Sequence, residues 1–237
     1  MFYWITIAVL ILLYISAIKI MKNFTNIKLT NSLLCIFIFL FYITGVLIVY
    51  LDVGANDWNF TNTLPVANVS PFMFFTSPIF FVLSQKLKKY YLTLVALLSV
   101  GMILSPILSC IYFASISYRF IPHFLLDFFA HFLLSIWGVY IVRTNQIDLK
   151  RKQCIISAMV LVFVATTMLI LNVIFDTAFF GLSLNGKHNI YNFVIVENSV
   201  LSAFIYFLGL CLCLFFGYLL QTFINKRLSK IVMQKNI

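Results

Sequence analysis

Arg119, His123, Asp127, His131 and Ser135 fall on every fourth residue of the stretch RFIPHFLLDFFAHFLLS, and nearly everything between them is Phe, Leu, Ile or Ala. Residues four apart on a helix stack on nearly the same face. The stretch therefore predicts an apolar helix with one polar stripe, on which Asp127 lies one turn from each of two imidazoles. Two of the chain's 3 histidines and one of its 6 acids are placed here.

Three chemistries suit such a stripe. His123, Asp127 and His131 are all metal-ligand types, but a drift of about 40° per four-residue step turns His123 and His131 away from each other. A mononuclear site would have to borrow Glu197 or Asp176, so no metal and no other cofactor are expected. General-base catalysis is the second: Asp127 would orient His131 and set its tautomer, with Ser70, Ser135 or water as nucleophile. Binding or passage of a solute is the third. Transport favours acids near the midplane and broken helices, which Pro71, Pro78 and Pro106 could supply.

The elements that must position these groups are membrane helices. The chain of 237 residues is 63% hydrophobic and 9% charged, with a mean hydropathy of +1.08, whereas soluble domains carry about 25% charged residues. Apolar runs near the length of a bilayer crossing are expected at Phe2–Met21, Leu33–Leu51, Val66–Ser84, Tyr91–Ala114, Pro122–Val142, Cys154–Phe175 and Phe193–Phe223. The expected fold is an all-α membrane protein: one bundle of seven transmembrane helices over residues 1–223, then a basic tail over 224–237.

The net charge of +10 does not point to nucleic acid, because it is held in short clusters between apolar runs. Lys19, Lys22 and Lys28 follow the first run, Lys86, Lys88 and Lys89 the third, and Arg143, Lys150, Arg151 and Lys152 the fifth. Lys226, Arg227, Lys230 and Lys235 follow the seventh, leaving Arg119 and Lys187 for the other side. The positive-inside rule then puts the N-terminus outside and the C-terminus in the cytoplasm of a multi-pass cell-membrane protein. The 5 cysteines form no CxxC pair and mostly lie within apolar runs, as small core residues do.

This topology assigns depth. Span five starts outside at Pro122, which puts His131 about 13 Å along it and His123, Asp127 and His131 in the outer half. Asn68 and Ser70 of span three, Asn172 near the end of span six and Glu197 of span seven belong to the same leaflet. The inner half, hydroxyls and cysteines aside, reads as nearly featureless. Ionisable groups in hydrocarbon are costly unless they face a bundle interior or a wet cavity. The expectation is an outward-facing polar pocket lined by spans three, five, six and seven. Its centre is His131 with Asp127 as orienting partner, and Asn68, Ser70, His123, Ser135, Asn172 and Glu197 line it.

The order of several features is also informative: Leu64-Pro65 at the start of span three, Ile121-Pro122-His123 and Phe128-Phe129-Ala130-His131 in span five, Leu171-Asn172 at the end of span six, and a long last span. In these the chain resembles the YwaF-like bacterial integral membrane proteins, which are related to a eukaryotic transmembrane phospholipid acyltransferase. The resemblance covers the chain up to about Phe223. It implies a functional histidine at His131 and an acyl-carrying cysteine soon after the Leu-Pro of span three, where an ungapped match instead gives Val69. The reading is therefore a membrane protein that holds a lipid or amphiphile, its partners being membrane lipids. A lipid-modifying enzyme or acyltransferase using His131, and a transporter component, are the alternatives.

Overall fold

The structure is a computed structural model that describes residues 2–53, 69–113, 121–147, 149–175 and 199–235. At 2–10, 22, 49, 52–53, 105–113, 121–124, 127, 199–200, 202–203 and 224–235 the description is of the helix backbone only. The described residues form α1 (Phe2–Ile20), a 3-10 turn at Met21–Asn23, α2 (Ile27–Val53), α3 (Val69–Thr76), α4 (Ile79–Val82), α5 (Gln85–Phe113), α6 (Ile121–Arg143), α7 (Arg151–Phe175) and α8 (Ser199–Lys235).

Four stretches of these helices are long and apolar enough to cross a bilayer: Ile27–Ile48, Gln85–Leu104, Arg151–Phe175 and Phe204–Phe223. Their outward faces stay apolar. On α7 the buried stripe is Leu161, Ala165 and Asn172, while Met159, Val160, Phe163, Ile170 and Val173 are exposed. A water-facing helix would put charge there; hydrocarbon is the solvent that suits this one. The protein is a helical, membrane-embedded one.

α6 is the hub. It packs against α5 and α2 along most of its length and touches α8, α1 and α3, whereas α7 packs on α5 and α8. Pair contacts fix the directions. Phe129 meets Phe41, Trp137 meets Asn31 and Tyr140 meets Phe24, so α2 and its lead-in run antiparallel to α6. Phe74 meets His131 and Phe80 meets Trp137, so α3–α4 run parallel to it and in register. Tyr14 reaches Ser135, and Ile18 reaches Arg143, so α1 is parallel as well.

Two glycines let backbones touch at α5. A Cβ at Gly138 of α6 would fall 2.9 Å from the Val95 carbonyl oxygen and 2.7 Å from Ser99 Cβ; one at Gly217 of α8 would fall 1.8 Å from the Leu97 carbonyl oxygen. α5 is thus gripped from both sides at the same depth, the small-residue packing that membrane bundles favour.

Of the three prolines expected to break helices, one does. Pro78 has no N–H, and its ring conflicts with the Phe74 carbonyl, so the third span divides into α3 and α4 at Ser77-Pro78. The freed Phe74 carbonyl is met locally by Ser77 Oγ at 2.8 Å, which also lies 3.0 Å from Cys35 O of α2. Pro71 falls in the first turn of α3, where no intrahelical donor is required. α5 continues as helix past Pro106. α8 likewise runs beyond the expected end of the last span, through the basic segment to Lys235.

Candidate functional site

His131 sits on the central helix, is 4% exposed, and presents its ring to the edge of Phe74 at 4.8 Å between centroids, 84° between planes. Phe74 in turn packs on Tyr42 at 6.0 Å. α2, α3 and α6 each contribute one wall of this aromatic surround. Ten residues precede His131 in the helix and twelve follow, so it lies about 15 Å from one end and about 18 Å from the other. A buried imidazole midway along such an apolar helix is a functional candidate by default.

Ser70 belongs to the same face. It is half-buried and precedes Phe74 by four residues on α3, so it stacks one turn above the Phe74 ring. Because α3 and α6 run parallel and in register, that turn is level with the α6 backbone at position 127. The structure thus brings the Ser70 and His131 elements together. Asn172 is buried on α7 and faces the α5–α8 side, since α7 packs on those two helices. Asn68 and Glu197 lie outside the described residues, as do the side chains of His123 and Asp127. Among the described residues no three His, Cys, Asp or Glu side chains gather at metal-binding distance.

Ser135 has a different setting. It is fully buried, donates to the Ser99 carbonyl at 2.6 Å, and accepts from the Tyr14 hydroxyl at 2.9 Å. Ser99 Oγ donates to Ala96 O at 2.7 Å and accepts from Gln221 Nε2 at 2.8 Å; Gln221 Nε2 also donates to Ala96 O at 3.2 Å. One network therefore joins α1, α5, α6 and α8 a single turn below His131. As general base, His131 would need a nucleophile whose proton it could take, and the Ser135 proton is already engaged by a backbone carbonyl.

A second buried network closes the end of the bundle where α6 finishes. Trp137 Nε1 donates to Asn31 Oδ1 at 2.9 Å, Asn31 Nδ2 to Gln146 Oε1 at 2.6 Å, and Gln146 Nε2 to Thr144 Oγ1 at 2.7 Å. Asn145 turns the chain there with φ of 53°, a conformation Asn tolerates better than most residues. Tyr140 donates to Phe24 O at 3.2 Å and Arg143 Nη1 to Ile18 O at 3.0 Å. The half that reads as featureless in sequence is thus tied by side-chain amides, an indole and a guanidinium. Gln221, Asn31 and Gln146 are the polar residues that sequence reasoning passed over. The signal for Gln221 was present: an uncharged amide inside an otherwise apolar run, which must find a partner in a bilayer.

Comparison with protein-family models, with curated proteins and with solved structures finds no match to this chain.

Proposed function

We propose that the chain is a seven-crossing cell-membrane protein, N-terminus outside and C-terminus cytoplasmic, that holds the polar group of a lipid or other amphiphile beside His131. The observation that carries this reading is the buried, mid-helix imidazole walled by Phe74 and Tyr42. The clustering of Lys and Arg after alternate spans supports the orientation. With α3 and α4 counted as one broken crossing, the directions of α1, α2, α3–α4 and α6 are those of the first, second, third and fifth of seven crossings. The lipid class follows from the resemblance to YwaF-like proteins.

Binding is favoured over acyl transfer on specific grounds. Val69 stands where that resemblance implies a cysteine, and Ser135 is held in the network below. His131 then acts through shape and hydrogen bonding, with Ser70 one turn further out and Asp127 as its orienting neighbour in sequence. The full chain purified in mild detergent should carry a co-purifying lipid by native mass spectrometry. His131→Ala should lose it at least tenfold while the thermal unfolding transition stays cooperative, and His131→Gln, which keeps a hydrogen-bonding side chain of similar reach, should retain it. An undiminished lipid load in His131→Ala would sink the proposal.

A further inference from the structure

At one end of α5 and α7, two helix ends more than sixty positions apart in sequence, each carrying basic residues, are pinned together. Gln153 of α7 donates to Thr93 Oγ1 at 2.6 Å and reaches the Lys89 carbonyl at 3.4 Å; Ser157 donates to the Tyr90 carbonyl at 3.0 Å. These bonds pin the first turns of α7 onto the first turns of α5. Lys86 precedes Lys89 by three residues, so it lies on the α7-facing side, one turn nearer the helix end. Arg151 and Lys152 immediately precede Gln153. Lys86, Lys89, Arg151 and Lys152 are all exposed. Between Arg143 and Cys154 the sequence offers one acid, Asp148, and between Gln85 and Tyr90 none.

Lys88 is different. Its Nζ sits 4.7 Å over the Phe80 ring, which draws that charge away toward α4 and leaves Lys86 and Lys89 on the α7 side. Because α5 and α7 are both bilayer-crossing helices that begin here, the cluster lies at headgroup depth. Basic pockets between transmembrane helices are suited to acidic headgroups, and a guanidinium adds a planar fork that matches phosphate oxygens.

We propose that Lys86, Lys89, Arg151 and Lys152 form a binding site for the phosphate of an anionic phospholipid, held in shape by the Gln153 bridge. It is separate from the His131 site in position and in chemistry, so either can fail without the other. The test uses the full chain in nonionic detergent, with phosphatidylglycerol or phosphatidylcholine added and retention read by native mass spectrometry. Phosphatidylglycerol should be retained in preference. The Lys86→Gln/Lys89→Gln/Arg151→Gln variant should lower its retention about tenfold or more. Lys19→Gln/Lys28→Gln/Lys230→Gln, with the same charge change elsewhere, should lower it no more than about twofold. Gln153→Met, which changes no charge, should also weaken retention by loosening α7 from α5. Equal losses in the two triple variants, equal retention of the two lipids, displacement by millimolar inorganic phosphate, or wild-type retention in Gln153→Met would each overturn the proposal.

Discussion

Replacing Gly217 by alanine tests the α5–α8 packing at its tightest point. The added methyl would sit 1.8 Å from the Leu97 carbonyl oxygen, 2.7 Å from its carbon and 3.1 Å from Cα. A relaxed carbon–oxygen contact is about 3.4 Å, so α8 must withdraw by about 1.5 Å, and the obstacle is backbone that cannot rotate aside. One turn on, Gln221 donates at 2.8 and 3.2 Å, and the same withdrawal takes both bonds beyond useful length. Overpacking costs about 1–3 kcal/mol, and interhelical hydrogen bonds in membrane bundles contribute about 0.6 kcal/mol each. The expected destabilisation is about 2–4 kcal/mol. Gly209, on the same helix, has nothing within 4 Å of an added Cβ; alanine there should stabilise by about 0.5–1 kcal/mol through helix propensity alone. The assay is equilibrium unfolding of both variants by sodium dodecyl sulfate in mixed micelles. If Gly217→Ala matches Gly209→Ala within about 0.5 kcal/mol, α8 does not approach α5 as described and the network through Gln221 is misassigned.

Other outcomes follow from the same contacts. Asn31→Leu strands the Trp137 indole N–H and one amide of Gln146, and should destabilise by about 2–3 kcal/mol with a shift in tryptophan emission, whereas Asn31→Gln should recover part of the loss. Ser135→Ala removes the donor to Ser99 O and the acceptor for Tyr14, and should cost about 1–2 kcal/mol; Tyr14→Phe should cost less, because Ser135 keeps its bond to Ser99. A green fluorescent protein fused after Ile237 should fluoresce while alkaline phosphatase fused there stays inactive, and the reverse pattern would invert the orientation. Pro78→Ala should let α3 and α4 join, tightening the helix at Ser77 and reducing amide exchange there; unchanged exchange would mean that the break does not depend on the proline.

Much of the fold was legible because periodic apolar runs dictate bilayer helices. The expected spans at Tyr91–Ala114, Pro122–Val142 and Cys154–Phe175 agree with α5, α6 and α7 to within a few residues at most ends. α2 begins six residues earlier than expected, at Ile27, since Asn26 Oδ1 accepts from the Leu29 N–H and starts the helix before the hydrophobic run does. The four-residue stripe lies on α6, and His131 on it is buried against Phe74 of α3. Sequence spacing does not say which neighbours a helix acquires: α7, which carries Asn172, packs on α5 and α8. Nor did hydropathy reveal the inner networks. A single Gln or Asn barely lowers the average over a span, yet its bonds to backbone carbonyls and to Trp137 decide how four helices lock together.

The proposed role of His131 requires that an amphiphile reach it. The most direct measurement is photo-crosslinking of the full chain in vesicles with a phospholipid that carries a diazirine near its headgroup, the adducts being located by peptide sequencing. Adducts on the 69–76 and 128–135 segments, abolished by His131→Ala, are the expected result. Adducts confined to outward-facing residues such as Phe163, Val173 and Phe204, and unchanged by that substitution, would contradict it.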